Sequence, residues 1–308
     1  MSNQWGNFIM TTEELAIIDK EIEEYRKNNI NKSVNKDLVK RMLDVKIDEF
    51  NIQENDYALE LYEDYLYKLN DLDKTQLKRY LTVLKNADLK DNQNLEKEDS
   101  FLLSLYLQSE RKHAIDVALN ASELNEEDLL KIHGILLKGT SSSELDNYSY
   151  RKNNRKFVGS WENGKKIIQY LPLDFKEIEE AMKPFFQYYN ESDNCKQNIF
   201  FKSFLIHGII ASLQVFDDGN TRLARLLQNT NIYKQTKDLI DNNLNSPALY
   251  VTRAYYPQRN EYRSLIRNMA IEPNNENINN WIKFNLRRTE DTLYCNNEKV
   301  EKVKLLKK

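Results

Sequence analysis

The chain has 308 residues, 40% of them hydrophobic, which is enough for a sizeable core in one large domain or two modest ones. Its 45 Lys and Arg against 48 Asp and Glu give a net charge of −3, which excludes a broadly basic nucleic-acid-binding surface. The two cysteines, Cys195 and Cys295, cannot build a disulfide framework, and neither a secretory leader nor a membrane-spanning apolar run is visible, so we expect a soluble, cytoplasmic protein without a membrane partner.

The first third of the chain is predicted to be helical. Between Gly6 and Gly134 there is neither glycine nor proline, and the segment is rich in Leu, Glu, Lys and Asp, which is typical of helices joined by short polar turns. We predict an N-terminal all-helical region over 1–98, a boundary in the polar run 87–99, and a second domain over 99–300. We do not expect the first region to bind DNA, because the net charge is negative and no helix-turn-helix glycine turn is evident.

A helix and a β-hairpin are predicted next. The helix begins near Ser122, which with Glu126 approaches a capping-box pattern, and it ends at Gly139, a residue type suited to the position after a helix C-terminus. Further on, the Asn-Gly pair at 163–164 separates two short apolar runs and predicts a hairpin over 156–170, because both residues tolerate positive φ. The hairpin is either a peripheral loop or an edge to which an extended peptide adds as a strand.

The segment 199–213 has almost no polar face and predicts a helix buried on all sides. Within it, His207 is interpreted as a structural core residue, since a single histidine on a buried helix usually has hydrogen-bond partners there. The helix leads into the loop 214–225, which reads Gln-Val-Phe-Asp-Asp-Gly-Asn-Thr-Arg-Leu-Ala-Arg. One interpretation of this loop is a simple turn with an N-cap.

The charged residues of the loop favour a second interpretation. Arg222 and Arg225 fall in the first turns of the following helix, where the helix dipole disfavours cations. Both arginines are explained if an anion binds at the helix N-terminus. Asp218 is then placed to hold a divalent cation that bridges phosphate oxygens. The loop therefore predicts a triphosphate-binding site that lacks a Walker motif.

The loop resembles the motif of the Fic (Fido) family, His-Pro-Phe-x-Asp/Glu-Gly-Asn-Gly-Arg-x-x-Arg. Flanking segments are similar to the family too: LLKIHGILLKG resembles an early helix, 148–173 the target-binding flap, and 246–266 and 278–293 the closing helices. The resemblance covers roughly 100–295 and implies an all-α helical bundle with one small β-hairpin flap. It also implies transfer of AMP from ATP, with Mg²⁺, to a hydroxyl of a target protein that docks as a strand on the flap.

The resemblance implies a role for most residues of the loop. By position, Phe216 anchors the loop in the core, Asp218 holds Mg²⁺, and Arg222 and Arg225 bind the β- and γ-phosphates. The implied catalytic residues are Asn220, Arg222 and the residue at the position of the family's base, which is Gln214 here. The implied anion hole consists of Gly219, Asn220 and the backbone amide of Thr221.

Three positions depart from the family motif: Gln214 replaces the catalytic histidine, Val215 the proline and Thr221 the second glycine. A carboxamide cannot accept a proton at neutral pH, and loss of a general base costs about 10²–10⁴-fold in rate. His207 is no obvious substitute, because seven helical residues separate it from Gln214 by about 10 Å. Threonine at 221 is expected to narrow the anion hole and to oppose a positive φ. We expect a Fic-family protein that binds ATP and Mg²⁺ with reduced or altered transfer; the alternative is an inactive protein of this fold that serves as a peptide-binding or regulatory module.

Many relatives also carry an inhibitory helix with the pattern Ser/Thr-x-x-x-Glu-Gly/Asn. Glu110 lies in the corresponding region and could reach Arg225, but Tyr106 and Arg111 depart from the pattern, and a solvated helix charge is the other interpretation. A loosened copy at 142–147 is interpreted as coincidence. The target protein, the nucleotide preference and the oligomeric state are not predicted.

Overall fold

The structure is a computed structural model, and it describes residues 11–96, 112–140, 146–162, 165–191, 199–237 and 247–305. Helices dominate these residues, with short 3₁₀ turns at Ile30–Lys32 and Phe175–Glu177. The helices are α1 (Thr12–Asn28), α2 (Leu38–Leu43), α3 (Glu49–Asn70), α4 (Lys74–Glu96), α5 (described over 112–120), α6 (Glu126–Leu137), α7 (Ile178–Asn190), α8 (Ile199–Leu213), α9 (Asn220–Thr236), α10 (Thr252–Tyr255), α11 (Arg259–Ile271) and α12 (Asn275–Leu305).

A single β-hairpin, the flap, interrupts the helices of the described chain. Strand β1 (Val158–Glu162) pairs antiparallel with β2 (Lys165–Tyr170), with a register irregularity between Val158 and Gly159. Just beyond β2, Leu171 forms a parallel bridge with Ser33 of the N-terminal segment. The predicted fold class, all-α with one hairpin flap, is confirmed. The Asn-Gly pair predicted at the hairpin turn and the candidate Glu110 lie outside the described residues.

Helix α8 lies at the centre of the fold. Every residue from Ile199 to Leu213 is buried, as its uniformly apolar sequence predicted. Helix α9 packs along α8 most extensively, while α2, α7, α11 and α12 pack on its other sides. The indole Nε1 of Trp281 on α12 donates a hydrogen bond to the carbonyl oxygen of Phe204 at 2.8 Å. This packing fixes the end of α8, which is where the motif loop begins.

The N-terminal helices share a hydrophobic core with the rest of the described chain. Leu38 and Met42 on α2 and Tyr65 on α3 belong to the same cluster of buried residues as Phe204 and Trp281. Helix α3 packs along α12, and α2 packs against α7 and α8. The boundary expected in 87–99 extends into residues that are not described, so the division of the chain at residue 98 stays a prediction.

The start of helix α6 differs from the sequence prediction. The helix begins at Glu126, and its N-cap is Asn125, whose side-chain oxygen accepts a hydrogen bond from the Asp128 amide at 2.9 Å. The predicted start near Ser122 is therefore wrong, because asparagine is as good an N-cap as serine and stands closer to the apolar run. The predicted end is confirmed: Gly139 follows the last helical turn with φ of 78°.

No helix in the described part of the chain is both long and apolar enough to cross a membrane.

His207 is a core residue, as the sequence predicted. Its Nδ1 contacts Oε1 of Gln228, and its Nε2 lies 2.8 Å from the hydroxyl of Tyr262. A neutral imidazole that donates to the amide oxygen and accepts from the tyrosine hydroxyl satisfies both contacts. Burial lowers the pKa of His207 to about 3, so the ring is uncharged at neutral pH.

This burial predicts a pH-dependent stability. An unfolded histidine has a pKa of about 6.5, so between pH 6.5 and about 3 the unfolded chain binds one more proton than the folded chain at His207. The free energy of unfolding should therefore fall as the pH falls, by about 1.4 kcal/mol per pH unit for this residue. Urea denaturation at pH 6, 5 and 4 should give a slope smaller by about that amount in His207→Gln than in the natural chain. Equal slopes in the two proteins would contradict the assignment, whatever their absolute stabilities.

Candidate functional site

The loop 214–219, which joins α8 to α9, has a backbone whose carbonyl oxygens all face hydrogen-bond donors. The donors come from the helix before the flap, from the root of the flap and from α9 itself. The contacts are Gln214 O with Arg151 Nε (3.0 Å), Val215 O with the Arg151 amide (3.1 Å), Phe216 O with Asn220 Nδ2 (2.9 Å), Asp217 O with Lys156 Nζ (2.5 Å), Asp218 O with His133 Nε2 (2.8 Å) and Gly219 O with the Leu223 amide (2.9 Å).

His133 supports the middle of the loop from helix α6. Its ring stacks on Phe216 with centroids 3.6 Å apart and planes 10° from parallel. Its two nitrogens lie 2.7 Å from Asn147 O and 2.8 Å from Asp218 O. Burial lowers the pKa of His133 to about 4, so the ring is neutral at pH 7, and the tautomer with its proton on Nε2 supplies the donor for Asp218 O. Phe216 is buried, and this stacking is how it anchors the loop.

Asn220 closes the loop with its side chain. The amide oxygen accepts a hydrogen bond from the Phe216 amide at 3.0 Å, and Nδ2 donates to the Phe216 carbonyl at 2.9 Å. Asn220 is buried and is the first residue of α9. Its side chain therefore shapes the loop, and the group left to meet a ligand is its backbone N–H, which has no intrahelical acceptor at this position.

The positive φ in this part of the loop lies at Gly219, and Thr221 is helical. Gly219 has φ of 77°, and a Cβ there would lie 2.8 and 2.9 Å from the methyl groups of Leu137 and 3.1 Å from His133 Nε2. Thr221 is the second residue of α9 and has ordinary helical geometry. The positive φ that threonine was expected to oppose does not arise at position 221, because the helix already begins at Asn220.

Gln214 directly follows the last residue of α8 and has a strained backbone conformation. Its φ is 54°, the one positive φ of a non-glycine residue in the described chain, and such a conformation persists where the surroundings hold it. Its side-chain Nε2 donates to Ala211 O at 2.6 Å. The carboxamide at the position of the family's base is thus folded back onto α8.

Asp218 and Arg222 form an ion pair. Arg222 Nη2 lies 3.0 Å from Asp218 Oδ2, and Oδ1 accepts a hydrogen bond from the Gly219 amide at 2.7 Å. The sequence assigned these two side chains to separate ligands, a metal ion and a phosphate, whereas the structure brings them together. Arg222 and Arg225 are 7% and 3% exposed, so two cations are buried on the first turns of α9.

Lys156 adds a third cation from the root of the flap. Its ammonium donates to Asp217 O, and it interacts electrostatically with Asp217 and Asp218. Burial lowers the pKa of Lys156 from its usual value. With Arg151, Arg222 and Arg225, the loop and its supports hold four cations against two carboxylates, an excess that suits an anionic ligand.

Sequence reasoning missed His133, Arg151 and Lys156. All three lie in segments whose sequence resembles the family, but none of them is a position of the family motif. His133 had one usable signal, because it is a polar residue on the otherwise apolar face of α6 formed by Leu129, Ile132 and Leu136. The inhibitory contact between Glu110 and Arg225 stays a prediction, since Glu110 is outside the described residues.

Residues 123–231 match the model of the Fic/DOC family. The predicted family resemblance is confirmed over this segment. The Fic segment contains α6, the flap, α7, α8, the motif loop and most of α9. Among solved structures, the chain is similar to "Fic-1 (aa134 - 508) from C. elegans", with 13% identity and a TM-score of 0.42 over 93% of this chain and 73% of that one. No curated protein matches the chain significantly.

The crowding at Gly219 predicts a local defect in the Fic segment. Gly219→Ala should destabilise the protein by at least about 1–2 kcal/mol, because alanine disfavours a positive φ and its Cβ would clash with Leu137 and His133. Gly139→Ala is the matched control, since Gly139 has nearly the same φ but lies outside the loop. Urea denaturation should show a loss in both variants, whereas loss of binding to any ligand of the loop should occur in Gly219→Ala alone. If Gly219→Ala were as stable as the natural chain, Leu137 and His133 would not pack tightly against Gly219.

Proposed function

We propose that this protein binds ATP, as its Mg²⁺ complex, at the motif loop, and that it descends from protein adenylyltransferases with its transfer activity reduced. The observation that carries the proposal is the bonding of the loop: its carbonyl oxygens are occupied by donors of the protein, so the backbone amides at the start of α9 are the groups left to bind a ligand. The first amides of α9 lack intrahelical acceptors and lie at the positive end of the helix dipole. Such a helix start binds phosphate groups.

The buried arginines support the same proposal. A cation at a helix N-terminus is disfavoured by the dipole, and burying it adds a desolvation cost. Arg222 and Arg225 carry both costs, which a bound polyphosphate would offset through charge-assisted hydrogen bonds. Arg222 would exchange its contact with Asp218 for a contact with phosphate.

Asp218 is the residue that would hold Mg²⁺. Across the described residues no group of three or more His, Cys, Asp or Glu side chains forms a dedicated metal site. One carboxylate is sufficient for a Mg²⁺ that is held mainly by phosphate oxygens and water. When bound, the ion would neutralise charge on the phosphates, and the release of Asp218 from Arg222 would free each group for its own ligand.

The reduced activity follows from Gln214. Its carboxamide cannot accept a proton, and its Nε2 is bonded to Ala211 O. His207 and His133 are no substitutes, because both are buried with their ring nitrogens in contact with protein groups. The chain can therefore position a nucleotide without activating a target hydroxyl, which would slow transfer by about 10²–10⁴-fold.

A second candidate function rests on the same glutamine and on the flap. The outer edge of β1 has no strand partner within the described residues, so an extended segment of a target protein could add there through backbone hydrogen bonds. A protein that keeps this edge and lacks a base could serve as a peptide-binding or regulatory module. The two candidates differ in whether nucleotide binds at all.

The first test is isothermal titration of ATP with Mg²⁺ into the natural protein and into Arg222→Ala. The natural protein should bind, and Arg222→Ala should bind at least about tenfold more weakly, because one charge-assisted hydrogen bond contributes about 1.5–3 kcal/mol. Arg267→Ala is the control, since Arg267 lies on α11 and contacts Ser264 and Asn268. Absence of binding in the natural protein would reject the nucleotide proposal and leave the peptide-binding module.

The second test restores the base. Gln214→His should gain AMP transfer from α-phosphate-labelled ATP to itself or to proteins of a cell extract, at least about 100-fold above the natural chain. Histidine tolerates the left-handed φ of this position better than most residues do. Gln214→Asn is the control, because it changes the side chain without supplying a base. Equal transfer by the natural protein and Gln214→His would show that the chemistry does not depend on position 214.

A further inference from the structure

Arg151 connects the motif loop to both roots of the flap. It is 3% exposed, and it precedes β1 by seven residues. Its amide and Nε donate to the carbonyls of Val215 and Gln214 in the loop. Its Nη1 donates to Asn153 O at 2.8 Å before the flap, and its Nη2 donates to Leu173 O after the flap. One side chain thus joins three separate segments.

Asn154 completes the connection between the two roots of the flap. Its Nδ2 donates to Asp174 Oδ2 at 3.0 Å, and its Oδ1 accepts from the Phe175 amide at 3.0 Å. The same Oδ1 lies 3.3 Å from Arg151 Nη1. The flap is therefore held at its base by side chains, in addition to the hydrogen bonds between its strands.

The partners of Arg151 distinguish it from a simple buried ion pair. Its guanidinium donates to three backbone carbonyls and to the side-chain oxygen of Asn154, and its backbone amide donates to Val215 O. Among the described residues no carboxylate hydrogen-bonds to it. The planar fork of arginine can reach several carbonyls in fixed directions, whereas the single ammonium of lysine cannot. Two of these bonds go to consecutive carbonyls at Gln214 and Val215, so Arg151 also holds the strained φ of Gln214 in place.

We propose that Arg151 is a positioning residue that makes the motif loop and the flap open and close as one unit. The N-terminus of α9 would then be accessible to a ligand in its folded geometry only while the roots of the flap are held by Arg151. A peptide edge and an anion site would be aligned by a single guanidinium.

Native-state hydrogen exchange in low denaturant tests this proposal on the natural chain. The Phe216 amide, which is bonded to Asn220, reports on the loop, and the amides of β2 report on the flap. We expect both to exchange through the same opening, with the same free energy and the same dependence on denaturant. Two openings with different denaturant dependences would overturn the proposal, and this measurement requires no variant and no nucleotide.

Arg151→Lys tests the residue itself. Loop and flap amides should both exchange at least tenfold faster and through two separate openings with different denaturant dependences, while amides of α12 keep their protection. A purely global loss of stability would instead raise exchange in α12 by the same factor, and that outcome would also count against the proposal. Arg155→Lys is the matched control, because Arg155 ties the flap root to Asp19 on α1 by hydrogen bonds of 2.7 and 2.8 Å and does not contact the loop. With Arg151 in place, any faster exchange in Arg155→Lys should appear in the loop and the flap by the same factor, because the two still open together.

A further arm rests on the proposed function. ATP with Mg²⁺ should increase the protection of β2 in the natural chain and should no longer do so in Arg151→Lys. If the natural chain binds no ATP, the proposed function fails, while the two exchange measurements above still decide the role of Arg151. If ATP binds and protects the loop but leaves β2 unchanged in the natural chain, the proposed function stands and the coupling is rejected.

Discussion

The candidate site depends on one constraint: the carbonyl oxygens of a six-residue loop must find donors inside the protein. Buried backbone groups without partners are costly, so a loop packed between α8 and α9 needs a donor for each carbonyl. This chain supplies them from His133, Arg151 and Lys156 outside the loop and from Asn220 and Leu223 in α9. With the carbonyls so bound, the amides at the start of α9 are the groups without intrahelical acceptors, and the proposed anion site rests on them.

The charges of the site can be understood from the same arrangement. Lys156 and Arg151 are bonded to carbonyls of the loop and are also attracted by the carboxylate of Asp217, while Asp218 neutralises part of the charge of Arg222. The ion pair between Asp218 and Arg222 keeps both groups oriented at the helix start. Under the proposed function, a polyphosphate with its metal ion would offer each of them a better partner, and the ion pair would then be exchanged for two separate contacts.

The sequence was sufficient for features that depend on local pattern. The uniformly apolar 199–213 predicted the buried helix α8, the Asn-Gly pair predicted the flap, and Gly139 predicted the end of α6. The supports of the loop could not be found this way, since Arg151 and Lys156 contact it across 63 and 61 residues of chain, and no periodicity encodes such contacts. The error in the helix start was local, because Asn125 competed with Ser122 as N-cap. The φ at Thr221 depends on where α9 begins, which the motif letters do not specify.

Gln214 shows why the fold can persist while the chemistry changes. The loop is held through the backbone carbonyl of residue 214, which accepts the hydrogen bond of Arg151, and the side chain contributes only a contact with Ala211. A base at this position would act through its side chain alone. Folding and catalysis therefore place their demands on different atoms of the same residue, so a histidine-to-glutamine difference removes the proton acceptor without disturbing the donors that shape the loop. Thr221 is tolerated for a similar reason, because a helical residue needs no glycine. The scaffold of the site is thus independent of the one group that the proposed transfer chemistry would require.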